Sequence, residues 1–115
     1  MLIFLSQKYL LPLVKLKYKI MNIGQAIRTL RKNELMNQEE FASSVGITQS
    51  YLSLIEKGHK KPSLEVLQQM ADILNTPLPV LFWFGIERED VDEKKQYAYD
   101  TLKPSIDNLI NEVFN

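Results

Sequence analysis

The chain has no cysteine and a single histidine, His59. That composition leaves no disulfide, no thiol chemistry and no zinc site built from thiolates or several imidazoles, and it suits a reducing cytoplasm. His59 stands in a lysine-rich loop with no nucleophile beside it, a setting for a solvated or phosphate-near side chain rather than a catalytic base. No glycine-rich phosphate cradle and no cluster of metal ligands is legible, so the reading is of a non-enzyme without metal or cofactor. Net charge is also missing, with 14 basic and 14 acidic side chains. Any field that attracts nucleic acid must then come from local clustering. Nor is there a run of the ~20 apolar residues that a spanning helix needs. The apolar opening stretch is interrupted by Lys8 and Pro12, and it lacks the basic start and small-residue cleavage site of a signal peptide.

What is present is an ordinary globular composition, 45% hydrophobic and 24% charged, in a chain of 115 residues, which suits one domain. Charge divides it into three parts. Residues 1–20 carry four lysines and no acid, residues 21–85 balance six basic against six acidic side chains, and residues 86–115 reach −4. Three readings of 1–20 stand: an over-extended start ahead of a natural Met21, an added element packed on the domain, or a membrane anchor. A mature chain that begins at Met1 would exclude the first.

The chain is organised around the stretch from Asn37 to Gly58. Asn37 is placed to cap a helix, with Glu40 positioned to close a capping box onto it. Phe41, Ala42 and Val45 recur on one helical face. Gly46 supplies the turn, where a left-handed backbone costs least without a Cβ. Ile47 plugs the corner, Thr48 caps a second helix, Leu52 and Ile55 point inward, and Gly58 closes it. Ahead of this, Asn22 caps a helix with the stripe Ile23, Ala26, Ile27 and Leu30, and Leu35 and Met36 fill the connection. Beyond it, Ser63 caps a helix with the core stripe Leu64, Leu67, Met70, Ala71 and Leu74, ended by Asn75. Thr76-Pro77 opens a fifth.

Gln38, Phe41, Ala42, Val45, Gly46, Ile47, Leu52, Ile55, Glu56 and Gly58 resemble, in register, the pattern of the lambda-repressor-like, Xre/Cro-type helix-turn-helix family. The resemblance runs over roughly residues 21–84 and implies an all-α fold. It consists of a five-helix DNA-binding domain over 21–85, followed by an acidic helical tail over 86–115 that is a candidate dimerisation element. It implies a usually dimeric transcriptional regulator. It also implies an ion pair between Arg31 and Glu56 that braces the first helix against the recognition helix. Gln38 is implied to bond a phosphate and brace Gln49.

On a helical wheel, Ser50, Ser53, Leu54 and Lys57 point away from the Leu52–Ile55 face, flanked by Gln49 and Tyr51. The N-terminal residues of a recognition helix lie nearest the base edges. Gln49, Ser50, Ser53 and Leu54 are therefore the expected base readers. Gln49 can bond adenine N6 and N7 with both ends of its amide, and Leu54 either meets a thymine methyl or is a tolerated exposed leucine. Gln38, Tyr51, Lys57, Lys60 and Lys61 are the expected phosphate contacts, which position without reading sequence.

In the fifth helix, Phe82, Trp83 and Phe84 exceed what so small a domain can bury. Some of them are expected to meet the tail or a second subunit. The tail reads as a break at Pro104 followed by a short helix, capped by Ser105. Ile106, Leu109, Ile110 and Val113 fall on one face, with Asp107, Asn108, Asn111 and Glu112 on the other. A helix of about ten residues is marginal alone in water and should dock, with dimerisation preferred to intramolecular packing.

The leading function is a sequence-specific, double-stranded DNA-binding regulator of the repressor type, a class whose small members include phage-type repressors, antitoxins and restriction-modification controllers. The alternative is a protein-interaction module that binds its partner through the tail and the Phe82-Trp83-Phe84 patch.

Overall fold

The computed structural model describes residues 22–114. The readings made of residues 1–20 lie outside these. Six α-helices follow in order: α1 Ile23–Asn33, α2 Gln38–Val45, α3 Gln49–Glu56, α4 Leu64–Ile73, α5 Leu78–Gly85 and α6 Gln96–Phe114. Two 3-10 turns, Arg88–Asp90 and Glu93–Lys95, join α5 to α6. No strand occurs among the described residues.

Each of the first four helices starts where a polar side chain takes an orphan backbone N–H. Asn22 Oδ1 accepts from Gln25 N, Asn37 Oδ1 from Glu40 N, Thr48 Oγ1 from Tyr51 N and Ser63 Oγ from Val66 N, at 2.8 to 3.1 Å. Glu40 answers Asn37 at its side-chain amide, which donates to Glu40 Oε1 at 2.9 Å. α5 instead opens on prolines, which lack the N–H a cap would satisfy.

The core is drawn from five helices, with Ile27, Phe41, Leu52, Ile55, Met70 and Leu81 almost fully enclosed. Each contributes roughly 1.5–3 kcal/mol of burial. α1 lies against α3 and α5, and α2 against α3 and α4. The backbone N–H of Asn22 also donates to the Gly85 carbonyl, which ties the start of α1 to the end of α5.

Two leucines assigned to this interior lie outside it. Leu64 is 65% exposed, because the first turn of α4 extends past the core that Leu67, Met70 and Ala71 enter. Leu35 is 91% exposed. It occupies the left-handed position after α1, at φ 58°, and its side chain is carried outward while Met36 N returns to the Arg31 carbonyl.

The tail differs most from expectation. Helix α6 runs unbroken through Pro104 for 19 residues, so Ser105 lies inside it and caps nothing. A proline in a helix interior costs about 3 kcal/mol. Here the helix is held on both sides of it: Tyr99 Oη donates to the Ile86 carbonyl at 3.1 Å, and Arg88 Nε to Asp100 at 3.0 Å. Beyond the proline, Trp83 Nε1 donates to Asp107 Oδ1 at 2.9 Å and Lys103 Nζ to Asp107 Oδ2 at 2.8 Å. Asp107 thus faces the domain rather than solvent. Trp83 meets the tail, lying 6.1 Å from the Tyr99 ring and 5.9 Å from Lys103 Nζ, while Phe82 and Phe84 pack on the core. The tail thus makes the intramolecular contact, which leaves the expected dimerisation role of its outer face open.

This latch has a pH dependence with a definite sign. Burial pushes the Asp107 carboxyl up, but the hydrogen bonds from Lys103 and Trp83 and the Lys103 charge outweigh it and hold it below its ordinary 3.8. A depressed carboxylate stabilises the folded form above its unfolded pKa, and that contribution fades as pH falls through the folded value. Trp83 is the chain's one tryptophan, so its emission reports the docking of α6. Acid titration below 3.8 is expected to shift that emission toward a wetter environment, and Asp107→Asn, which keeps an acceptor for Trp83, should flatten this part of the profile. Superimposable titrations would mean that Asp107 does not hold the tail.

Candidate nucleic-acid interface

The two helices of the motif are set by a tight turn. Gly46 sits at φ 84°, with its N–H and that of Ile47 returning to the Ala42 carbonyl at 2.9 and 3.0 Å. Ala42 is small and buried where α3 crosses, and Ile47 is half-buried at the corner. The far end of α3 closes on Gly58 at φ 80°, and the His59 and Lys60 N–H groups both return to the Leu54 carbonyl.

An ion pair locks this unit to α1. Arg31 Nε donates to Glu56 Oε2 at 2.7 Å and Nη2 to Oε1 at 3.0 Å, in the forked geometry that suits a guanidinium and a carboxylate. Only 5% of Arg31 and 6% of Glu56 is exposed, so both charges are desolvated. Arg31 Nη1 also donates to the Met36 carbonyl at 2.8 Å, and Gln38 Nε2 to Glu56 Oε1 at 3.0 Å. The pair implied by the resemblance is therefore the centre of a network joining α1, the α1–α2 turn, α2 and α3. Gln38 turns to Glu56 rather than to Gln49, and its amide nitrogen retains a second hydrogen.

The expected base readers divide in two. Gln49 and Ser50 begin α3, are exposed, and spend no side-chain hydrogen bond on the protein. Ser53 and Leu54, one turn on, are half-buried. Tyr51 packs its ring against the edge of the core. Lys57, Lys60 and Lys61 are exposed around the Gly58 turn, with His59 among them. The arrangement is a protruding amide at a helix start, a second polar helix behind it, and a basic turn beyond.

Gly24 is a residue that the sequence reading passed over. It is buried in the first turn of α1, and a Cβ there would overlap the Ile55 carbonyl oxygen at the end of α3. Its signal was a glycine inside a helical stripe, which marks a close backbone approach.

Comparison with known proteins agrees with this geometry. A helix-turn-helix family model matches residues 27–81. The uncharacterized HTH-type transcriptional regulator YazB of Bacillus subtilis is 44% identical over 52 residues, 45% of this chain and 75% of that protein. The immunity repressor protein of Bacillus phage phi105 is 27% identical over 81 residues, 70% of this chain and 54% of that one. Among solved structures, the restriction-modification controller protein C.AhdI from Aeromonas hydrophila superposes with a TM-score of 0.51 at 30% identity, covering 53% of this chain and 92% of that one. With its motif, its fold and these relatives in agreement, the chain belongs to the lambda-repressor-like helix-turn-helix family of DNA-binding transcriptional regulators.

Proposed function

We propose that this protein acts as a dimeric, repressor-type regulator in the cytoplasm, laying α3 into the major groove of two half-sites about one helical turn apart. The observation that carries the reading is the uncommitted, exposed amide of Gln49 at the start of α3, presented by a caged motif. Gln49 reads adenine through its bidentate amide, with Ser50 beside it. Ser53 and Leu54 supply weaker contacts deeper in the helix. The second Nε2 hydrogen of Gln38, the Tyr51 hydroxyl and the amines of Lys57, Lys60 and Lys61 take phosphates. The domain is charge-neutral, so binding rests on this local cluster rather than on a general field.

A homodimer is supported by α6, which leaves Leu102, Leu109 and Val113 exposed along a helix already fixed to the domain. The likeness to a phage immunity repressor and to a restriction-modification controller supports the repressor-type role.

Titration on DNA from upstream of its own gene, against scrambled DNA of equal length, tests the reading. Specific binding typically exceeds non-specific binding by ~10³ or more. Gln49→Ala is expected to lower specific affinity by about 1–3 kcal/mol while leaving scrambled-DNA binding in place. Equal loss on both DNAs would place Gln49 on the backbone instead. No preference in the unmodified protein would return the tail-borne interaction module to first place.

A further inference from the structure

Beneath the last turns of α6 lies a cavity of about 350 Å³, walled by α1, the α4–α5 turn, α5 and α6. None of its lining residues belongs to α2 or α3, so it is separate from the face assigned to DNA. Its apolar surface comes from Leu30, Leu74, Val80, Ile110 and two phenyl rings, Phe84 and Phe114. Its polar lining residues include Gln25, Asn33, Asn75, Glu34 and Glu87. Among the described residues that line it there is no lysine, arginine or histidine.

We propose that this cavity binds a small organic cation, an ammonium or quaternary ammonium head on a short apolar body. The volume is at the small end of ligand sites, and the mixture of an apolar surface with a few polar groups is typical of them. The charge selects the class. An anion would meet two acidic residues with no counter-charge among the described lining residues, whereas a cation gains from both and from neighbouring phenyl rings. An ammonium head also finds carboxamide oxygens as acceptors. The α6 wall completes the case. Its fixed points are the 3-10 turns, Ile86 and the Trp83–Asp107 bond, while Phe114 at its end stays 47% exposed. A ligand seated on Ile110 and Phe114 supplies the packing that this end of α6 lacks, so occupancy steadies the tail.

The test is a titration of the full chain with hexyltrimethylammonium, followed by the backbone amide shifts of Thr29, Asn33, Asn75 and Phe84. Hexanoate, which carries a similar apolar body, is the control. Saturating shifts at these residues are expected for the cation, with hexanoate about tenfold weaker. Gln49 and Ser50 should not move. Glu34→Gln, an exposed position, is expected to weaken the cation about fivefold without changing the melting temperature. Absence of saturation, or an equal response to hexanoate, would overturn the proposal. So would lining amides that shift on protein dilution before any cation is added, because a second copy would then fill the space.

Discussion

Replacing Arg31 with alanine is expected to remove about 3–5 kcal/mol of stability, the cost of stranding one member of a buried pair. A domain of this kind has only about 5–15 kcal/mol in total, so the variant should be largely unfolded on mild warming. The reason lies in what Arg31 satisfies. Its guanidinium takes both oxygens of Glu56 and the Met36 carbonyl. Without it, the Glu56 carboxylate is left in the interior with the Gln38 amide as its remaining side-chain donor. Glu56 also closes the C-terminal end of α3, where the helix dipole disfavours negative charge. Arg31 offsets that as well. The pair as a whole is a different matter, since its Coulombic gain is set against two desolvation costs. Arg31→Met combined with Glu56→Leu is therefore expected to recover most of the stability that Arg31→Ala loses. Urea denaturation of the three proteins decides it. A loss below about 1 kcal/mol in the single variant would mean that water reaches the carboxylate.

The helix-turn-helix was legible because its determinants are local. Caps, the two left-handed glycines and the spacing of Phe41, Ala42, Val45, Leu52 and Ile55 each act within a few residues, and each is found as read. The Arg31–Glu56 pair joins residues 25 apart and was available only through the family resemblance. The tail was misread where local rules met tertiary anchors. Pro104 alone argues for a helix end, but the ties of Tyr99, Asp100, Lys103 and Asp107 hold the helix on either side of it. Periodicity likewise placed Asp107 with the polar residues, because a wheel does not show that an indole N–H waits opposite. Leu35 and Leu64 failed for a related reason: hydrophobicity does not reveal where a core stops. The candidate base readers were legible as a face, yet only the structure separates Gln49 and Ser50, which stand free, from the half-buried Ser53 and Leu54.

Gly24→Ala should destabilise the protein by about 1–3 kcal/mol, although alanine is the better helix former by about 1 kcal/mol. In an open helix that propensity gain would prevail. Here the added methyl meets backbone, the carbonyl oxygens of Ile55 and Glu56, which cannot swing aside as a side chain can. The Ile55 carbonyl is already engaged, accepting from Gly58 N at 3.0 Å in the turn that precedes the lysine cluster. Accommodation therefore requires α1 to lift from α3, which stretches the Arg31–Glu56 bonds, or the end of α3 to move, which displaces Lys57, Lys60 and Lys61. Either route couples stability to the DNA face. The folded Gly24→Ala protein is accordingly expected to bind its DNA more weakly as well as to unfold at lower urea. Gln25→Ala, exposed on the next position of the same helix, controls for propensity and should stay within about 0.5 kcal/mol of the parent. A Gly24→Ala protein as stable as that control would show that the α1–α3 contact yields without cost, and α1 would then not be the element that sets the angle of the recognition helix.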